Sequence, residues 1–188
     1  MATKEDRRSG AQTRAEILRV ALRLFTEQGY EGTSTRDISA ALGITKSALY
    51  YHFPSKEAIV TSLLTQRRRE LDELVEWIRA QPRSPDLVRR AALRWVNGTT
   101  SERLDGMRLV QNNGPVLRTL LEGGDDVRSA FDEVVDLLVG ADATETDRLL
   151  VRMAFDTVGA ALLSAQRTRA DREDVLAAAR RATIALTA

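Results

Sequence analysis

The residues best suited to chemistry crowd into one short stretch: Thr45, Lys46, Ser47, Tyr50, Tyr51, His52 and Lys56. They supply hydroxyls, one imidazole and two ammonium groups, which hydrogen-bond to anions and to the edges of nucleic-acid bases. They do not compose a bond-breaking centre. His52 is the only histidine and the chain has no cysteine, so cysteine nucleophiles and the common zinc sites are excluded. A serine triad would have to borrow His52. There is no glycine-rich phosphate loop. Asp132, Glu133 and Asp136 fall on a polar helix face and read as solvated carboxylates. No catalytic residue, metal ligand or cofactor is therefore expected. The chemistry is recognition, and the chain is not expected to be an enzyme.

Donors recognise a target only when rigid elements hold them. Ser34-Thr-Arg-Asp37 fits a capping box that opens a short helix through Ala41, and Gly43 allows a tight turn. Thr45 can cap a second short helix running through Leu49 to about Tyr51. Upstream, Thr13-Arg-Ala-Glu16 also fits a capping box, and Gly29 is a natural stop. Between them Ile17, Leu18, Ala21, Leu22, Leu24 and Phe25 form a helical apolar stripe. Ile38, Leu42, Ile44, Leu49 and Phe53 are spaced to pack on that stripe near Leu22 and Phe25. The opposite face of the second short helix is left with Thr45, Lys46, Ser47, Tyr50 and Tyr51.

Two short helices joined by a glycine turn suggest a unit that reads DNA. Short hydroxyls and a lysine at a helix N-terminus can approach base edges in the major groove. Lys46 can donate to guanine O6 or N7, to a phosphate, or only to water. Lys56 stands at the start of a long helix, where its ammonium and the free N–H groups suit a phosphate. Thr35 and Arg36 are candidate clamps across the groove, although Arg36 can instead pair with Asp37 or Glu31. Tyr51 fits half-buried packing as well as contact.

The composition agrees with a helical protein. In 188 residues, 43% are apolar, 29% charged and only 4 are proline, with Ala, Leu, Arg and Glu prominent. The net charge of +1 does not single out a nucleic-acid binder. Its distribution says more, since Lys4, Arg7, Arg8, Arg14, Arg19 and Arg23 outnumber Glu5, Asp6 and Glu16 at the start of the chain. Residues 1–9 read equally as a basic arm or as a solvated tail. No apolar run is long enough to span a bilayer and no signal-peptide core is seen, so the default location is the cytoplasm, without a membrane partner. Further helices are expected at Lys56–Arg79, Asp86–Thr99, Glu102–Asn112, Pro115–Leu121 and Asp125–Val139, then one capped by Thr144-Glu-Thr-Asp147 and running to about Arg167, and a last one started by Asp171-Arg-Glu-Asp174 and running to about Leu186. Asn112-Asn113-Gly114 is a good turn.

The stretch from Thr13 to Leu64 closely resembles the TetR family of transcriptional regulators. The resemblance rests on Thr13-Arg14, Ile17-Leu18, Ala21, Leu24-Phe25, Gly29-Tyr30, Thr33-Ser34, Arg36-Asp37-Ile38, Leu42-Gly43-Ile44 and the tract ALYYHFPSKE at residues 48–57. Ser39 departs from the family's usual alanine. Its hydroxyl can bond a carbonyl one turn back, with little consequence. The resemblance covers about the first third of the chain. It implies an all-α protein with an N-terminal three-helix helix-turn-helix domain at residues 1–55. Residues 56–188 would form a C-terminal helical ligand-binding and dimerisation domain. It also gives Tyr50 and His52 roles at the DNA backbone, with Tyr50 alternatively touching a thymine methyl.

The remainder of the chain is read through that resemblance. It implies that the region holding Trp77, Trp95, Met107, Val110, Phe131, Met153 and Phe155 encloses a small-molecule inducer, mostly apolar, although such residues also make ordinary cores. The segment 147–167 is apolar almost all round and must be buried on every side. Small residues there and in the last helix permit close approach by a second copy. The expected dimer interface is Val158, Gly159, Ala161, Leu162, Ala165, Val175, Ala179 and Ala182. The implied function is a homodimeric repressor that binds palindromic double-stranded operator DNA and is released by the inducer. An activator of the same fold, or a dimeric adaptor without specific DNA binding, would share these helices.

Overall fold

The computed structural model describes residues 4–112, 125–140 and 142–188. Among these are nine α-helices and no strand. They are α1 (Lys4–Gln28), α2 (Thr35–Leu42), α3 (Lys46–His52), α4 (Lys56–Arg79), α5 (Leu87–Asn97), α6 (Ser101–Asn112), α7 (Asp125–Leu138), α8 (Glu145–Ala165) and α9 (Arg172–Leu186). The all-α expectation holds. The helix expected at Pro115–Leu121, and the turn after Asn112, lie outside the described residues. No described helix is long and apolar enough to cross a membrane.

The described residues pack as two units, one within 1–66 and 101–123, the other within 67–100 and 124–188. The first is built around the apolar stripe of α1. Ile17, Ala21 and Phe25 have no exposed surface, and neither have Ile38 of α2, Leu49 of α3 and Ile59 of α4. Burying each large side chain of this kind contributes roughly 1.5–3 kcal/mol. Leu109 of α6 joins the same core, and the Thr26 hydroxyl donates to the Asp105 carbonyl at 3.3 Å. Thus α6, expected with the C-terminal region, packs with the helix-turn-helix. The sequence boundary at residue 56 coincides with the start of α4, whereas the packing boundary crosses that helix after Gln66.

The local signals explain most helix ends. The Ser34 hydroxyl accepts from the Asp37 amide, while the Asp37 carboxylate accepts from the Ser34 amide. Thr144 with Asp147 and Asp171 with Asp174 repeat this reciprocal cap at α8 and α9. Gly43 closes α2 at φ 66°, a left-handed conformation that costs glycine little. One expectation fails. Helix α1 starts at Lys4, well upstream of Thr13, so the Thr13–Glu16 pattern lies inside a helix and is no terminus. The reading of residues 1–9 as a tail is corrected from Lys4 onward.

The second unit packs the later part of α4 with α5, α7 and α8 around Leu74, Ile78, Trp95, Val134 and Phe155. Helix α9 lies along α8 and α5, burying Val175, Leu176 and Ala179. The Thr157 and Thr183 hydroxyls hydrogen-bond to each other at 2.8 Å inside this seam. Arg89 donates to the Thr187 carbonyl at 2.7 Å, capping the end of α9. Asp132 and Asp136 of α7 are exposed and Glu133 half-buried, and all three are paired, Glu133 with Arg79, Asp136 with Arg148 and Asp132 with Arg152. They are therefore not merely solvated.

Candidate nucleic-acid interface

Helix α3 is short, and its orientation is set by what surrounds it. Thr45 begins it by accepting the Ala48 amide at 3.1 Å. Leu49 is buried in the core, and Phe53 follows the helix end with 1% of its surface exposed. The outer face then carries Lys46, Ser47, Tyr50 and Tyr51, all exposed, beside Thr45. Tyr51 is 86% exposed, so the half-buried alternative for this ring does not apply. Its ring stands edge-on to that of His52 at 5.2 Å. Tyr51 therefore stands in solvent on a helix whose other face is packed into the core.

The neighbouring candidates converge on the same face. The Tyr50 and Thr35 hydroxyls lie 3.2 Å apart, joining α3 to the start of α2. The Lys46 ammonium sits 5.5 Å from the centre of the Tyr50 ring. Thr35 is half-buried and Arg36 exposed in the first turn of α2. Arg36 has its positive charge beside Asp37, whose carboxyl is held below its ordinary range chiefly by the Ser34 hydroxyl and amide. Ser39 donates to the Arg36 carbonyl at 3.0 Å, as its position implied.

Lys56 is placed differently from the expectation. Its ammonium donates to the carbonyls of Tyr30 at 2.9 Å and Thr33 at 3.2 Å, and lies 4.0 Å from the Tyr30 ring centre. Two of its three donors are thus committed to the loop between α1 and α2. The Tyr30 hydroxyl donates to the Glu57 carboxylate at 3.0 Å. Burial, and then that carboxylate, push the Tyr30 hydroxyl well above its usual range. Arg14 was not a candidate, yet its guanidinium reaches the His52 carbonyl at 3.1 Å and the Ser62 hydroxyl at 2.7 Å. Its partners are a backbone oxygen and a residue far along the chain, which no spacing rule could expose.

This geometry is that of a helix-turn-helix, and its sequence has known counterparts. Residues 17–63 match the model of the bacterial regulatory proteins, tetR family. Among curated proteins, the TetR-type segment is similar to the HTH-type transcriptional regulator AcrR of Shigella flexneri, 34% identical over 91 residues. That match covers 48% of this chain and 42% of AcrR. It is also similar to the HTH-type transcriptional repressor KstR2 of Rhodococcus jostii, 46% identical over 61 residues, 32% of this chain and 28% of the relative. The chain thus spans less than half the length of these curated relatives. Over nearly all of its length it shares the fold of solved TetR-family structures. The ketosteroid transcriptional regulator KstR2 of Mycobacterium tuberculosis superposes with a TM-score of 0.67 at 20% identity, covering 93% of each chain. A TetR-family regulator from Agrobacterium tumefaciens gives 0.65 at 25% identity, over 95% of this chain and all of the other.

The C-terminal candidates divide. Trp77, Trp95, Phe131 and Phe155 come together in the second unit, with Trp95 edge-on to Phe131 at 5.5 Å. Met107 and Val110 belong to α6 in the first unit, and Val110 is 43% exposed. Met153 is 53% exposed on α8. These three do not join the aromatic group, two because α6 packs in the other unit and Met153 because its side of α8 is exposed. A groove of about 240 Å³ in the second unit is lined by Ile78, Arg79, Gln81, Arg83, Leu87 and Leu137, and contains none of the seven. Of the expected interface residues, Val158, Leu162, Val175 and Ala179 are buried within the chain itself, leaving almost nothing for a partner to touch. Gly159, Ala161 and Ala165 are partly open and Ala182 is exposed. The open apolar surface lies elsewhere on the two helices, at Leu149, Leu150, Met153, Leu163 and Ile184.

Proposed function

We propose that the protein is a cytoplasmic transcriptional repressor that binds palindromic operator DNA as a homodimer and is released by a small-molecule inducer. The outer face of α3 carries this reading: Thr45, Lys46, Ser47, Tyr50 and Tyr51 project from a helix whose inner face is fully packed. That face has the size and polarity to enter a major groove, with Thr35, Arg36 and His52 at the flanking phosphates. Lys56 serves first to hold the α1–α2 loop, and only its remaining donor is available to a phosphate. The names of the relatives, KstR2 among them, favour repression over activation.

A single reading unit per chain needs a second copy for tight, specific binding. The exposed residues of α8 at Leu149, Met153, Asp156, Ala160 and Leu163 recur at spacings of four and three, as in a helix seam that meets another helix. Ile184 adds to it from α9. We assign the homodimer to this surface, DNA reading to residues 1–55 with α6 packed against them, and ligand-linked dimerisation to the rest of residues 56–188. The aromatic group of Trp77, Trp95, Phe131 and Phe155 favours a mostly apolar inducer.

The test is an anisotropy titration of the protein against duplexes from upstream of its own coding region. Sequence-preferring binding is expected, with log affinity falling linearly as log salt rises. Uniform weak binding to every duplex would refute operator recognition.

A further inference from the structure

We infer that Arg14 is a positioning residue for operator recognition, fixing the angle at which α3 meets DNA. The inference rests on the DNA-binding reading above and adds a residue that reading does not use. Arg14 projects from α1, yet each of its contacts lies at the end of α3 or on α4. One guanidinium nitrogen donates to the His52 carbonyl at 3.1 Å and the other to the Ser62 hydroxyl at 2.7 Å. The guanidinium carbon Cζ lies over the Phe53 ring, 4.1 Å from its centre. His52 is the last residue of α3, so its carbonyl is one of the orphan acceptors of the helix end. Phe53 is the residue that turns the chain toward α4.

These contacts constrain α3 where its own bonding is weakest. A helix of seven residues has too few internal hydrogen bonds to fix its own direction. Its N-terminus is held by the Thr45 cap and by the contact from Tyr50 to Thr35. Its C-terminus is held by Leu49 and Phe53 in the core and, through hydrogen bonds, by Arg14. The planar fork of arginine can satisfy two acceptors and stack on a ring at the same time. A lysine at this position keeps the charge and loses the fork. Recognition of base edges depends on the angle of α3, whereas attraction to phosphates depends mainly on charge. Arg14 should therefore govern discrimination between sequences more than overall affinity for DNA.

The experiment compares the full-length protein with Arg14→Lys and Ser62→Ala on two duplexes. One is the sequence that wild-type protein enriches from a random pool, the other a scrambled version of it. Arg14→Lys should bind the enriched duplex at least about tenfold more weakly and the scrambled one within about twofold of wild type. Ser62→Ala, which removes one acceptor without touching a charge, should lose about threefold on the enriched duplex alone. Arg14→Lys binding the enriched duplex within about twofold of wild type would overturn the inference. So would equal losses on both duplexes, which would make Arg14 a general phosphate contact. If Arg14→Lys melts below the assay temperature, Ser62→Ala decides, and unchanged discrimination in that variant overturns the inference. Wild-type protein that enriches no sequence refutes operator binding itself, a distinct failure.

Discussion

Tyr51 and Lys56 sit a few residues apart and illustrate two uses of a polar side chain. Tyr51 gives almost its whole surface to solvent, so its removal should shift stability by less than about 0.5 kcal/mol. Tyr51→Ala should nonetheless weaken operator binding by about tenfold, which a thermal melt and a DNA titration on one sample would separate. Lys56 is partly buried and bound to two carbonyls and a ring. Charged hydrogen bonds of this kind contribute about 1.5–3 kcal/mol, and Lys56→Met should destabilise the protein by that order. A melting curve unchanged in Lys56→Met would show that the loop between α1 and α2 does not need this anchor. Side chains that face outward from a capped helix were legible in the sequence, because capping and apolar spacing together fix which face is which. Lys56 and Arg14 were not, because their partners are carbonyls and hydroxyls that only the tertiary fold brings near.

The elements follow the same division. Helices α2, α3, α8 and α9 begin at side-chain caps that the sequence displays as Ser34, Thr45, Thr144 and Asp171. The early start of α1 was not legible, because its first residues are charged or polar and give no apolar period to read. The caps also carry a pH dependence. The Thr144 hydroxyl and amide hold the Asp147 carboxyl below its ordinary value of 3.8. A depressed folded value means that this group stabilises the protein above that pH and ceases to do so as the pH falls below it. Asp147→Asn should therefore flatten the acid limb of a helicity titration between about pH 5 and pH 2 relative to wild type. Superimposable acid limbs would mean that the cap contributes nothing to folding. On α8 and α9 the sequence identified helices that must be buried on several sides but could not say which side meets the protein's own core. Val158, Leu162, Val175 and Ala179 turn inward to α5 and to each other's helices, and the longer residues Leu149, Met153 and Leu163 remain outside.

At the scale of the whole molecule, the proposed reading requires two copies to place two α3 helices on one operator. Leu163→Arg puts a charge into the exposed seam of α8 without disturbing the buried face, and should yield folded monomers in sedimentation velocity. A Leu163→Arg dimer of wild-type affinity would move the interface away from α8. The division of labour along the chain is less simple than a boundary at residue 56. Leu109 and Asp105 of α6 pack with α1, which makes α6 part of the same packed unit as the helix-turn-helix. That arrangement was not legible in the sequence, since an amphipathic helix shows that it packs but not on what. Hydroxyl-radical footprinting of the wild-type protein on the duplex it enriches from a random pool, with Tyr51→Ala alongside, examines the reading face and the dimer together. Two symmetric protected patches are expected on one face of the DNA, their centres about 34–36 Å apart or a multiple of that, and both should vanish in Tyr51→Ala. A single asymmetric patch, or protection that survives in Tyr51→Ala, would contradict recognition of a palindrome through α3.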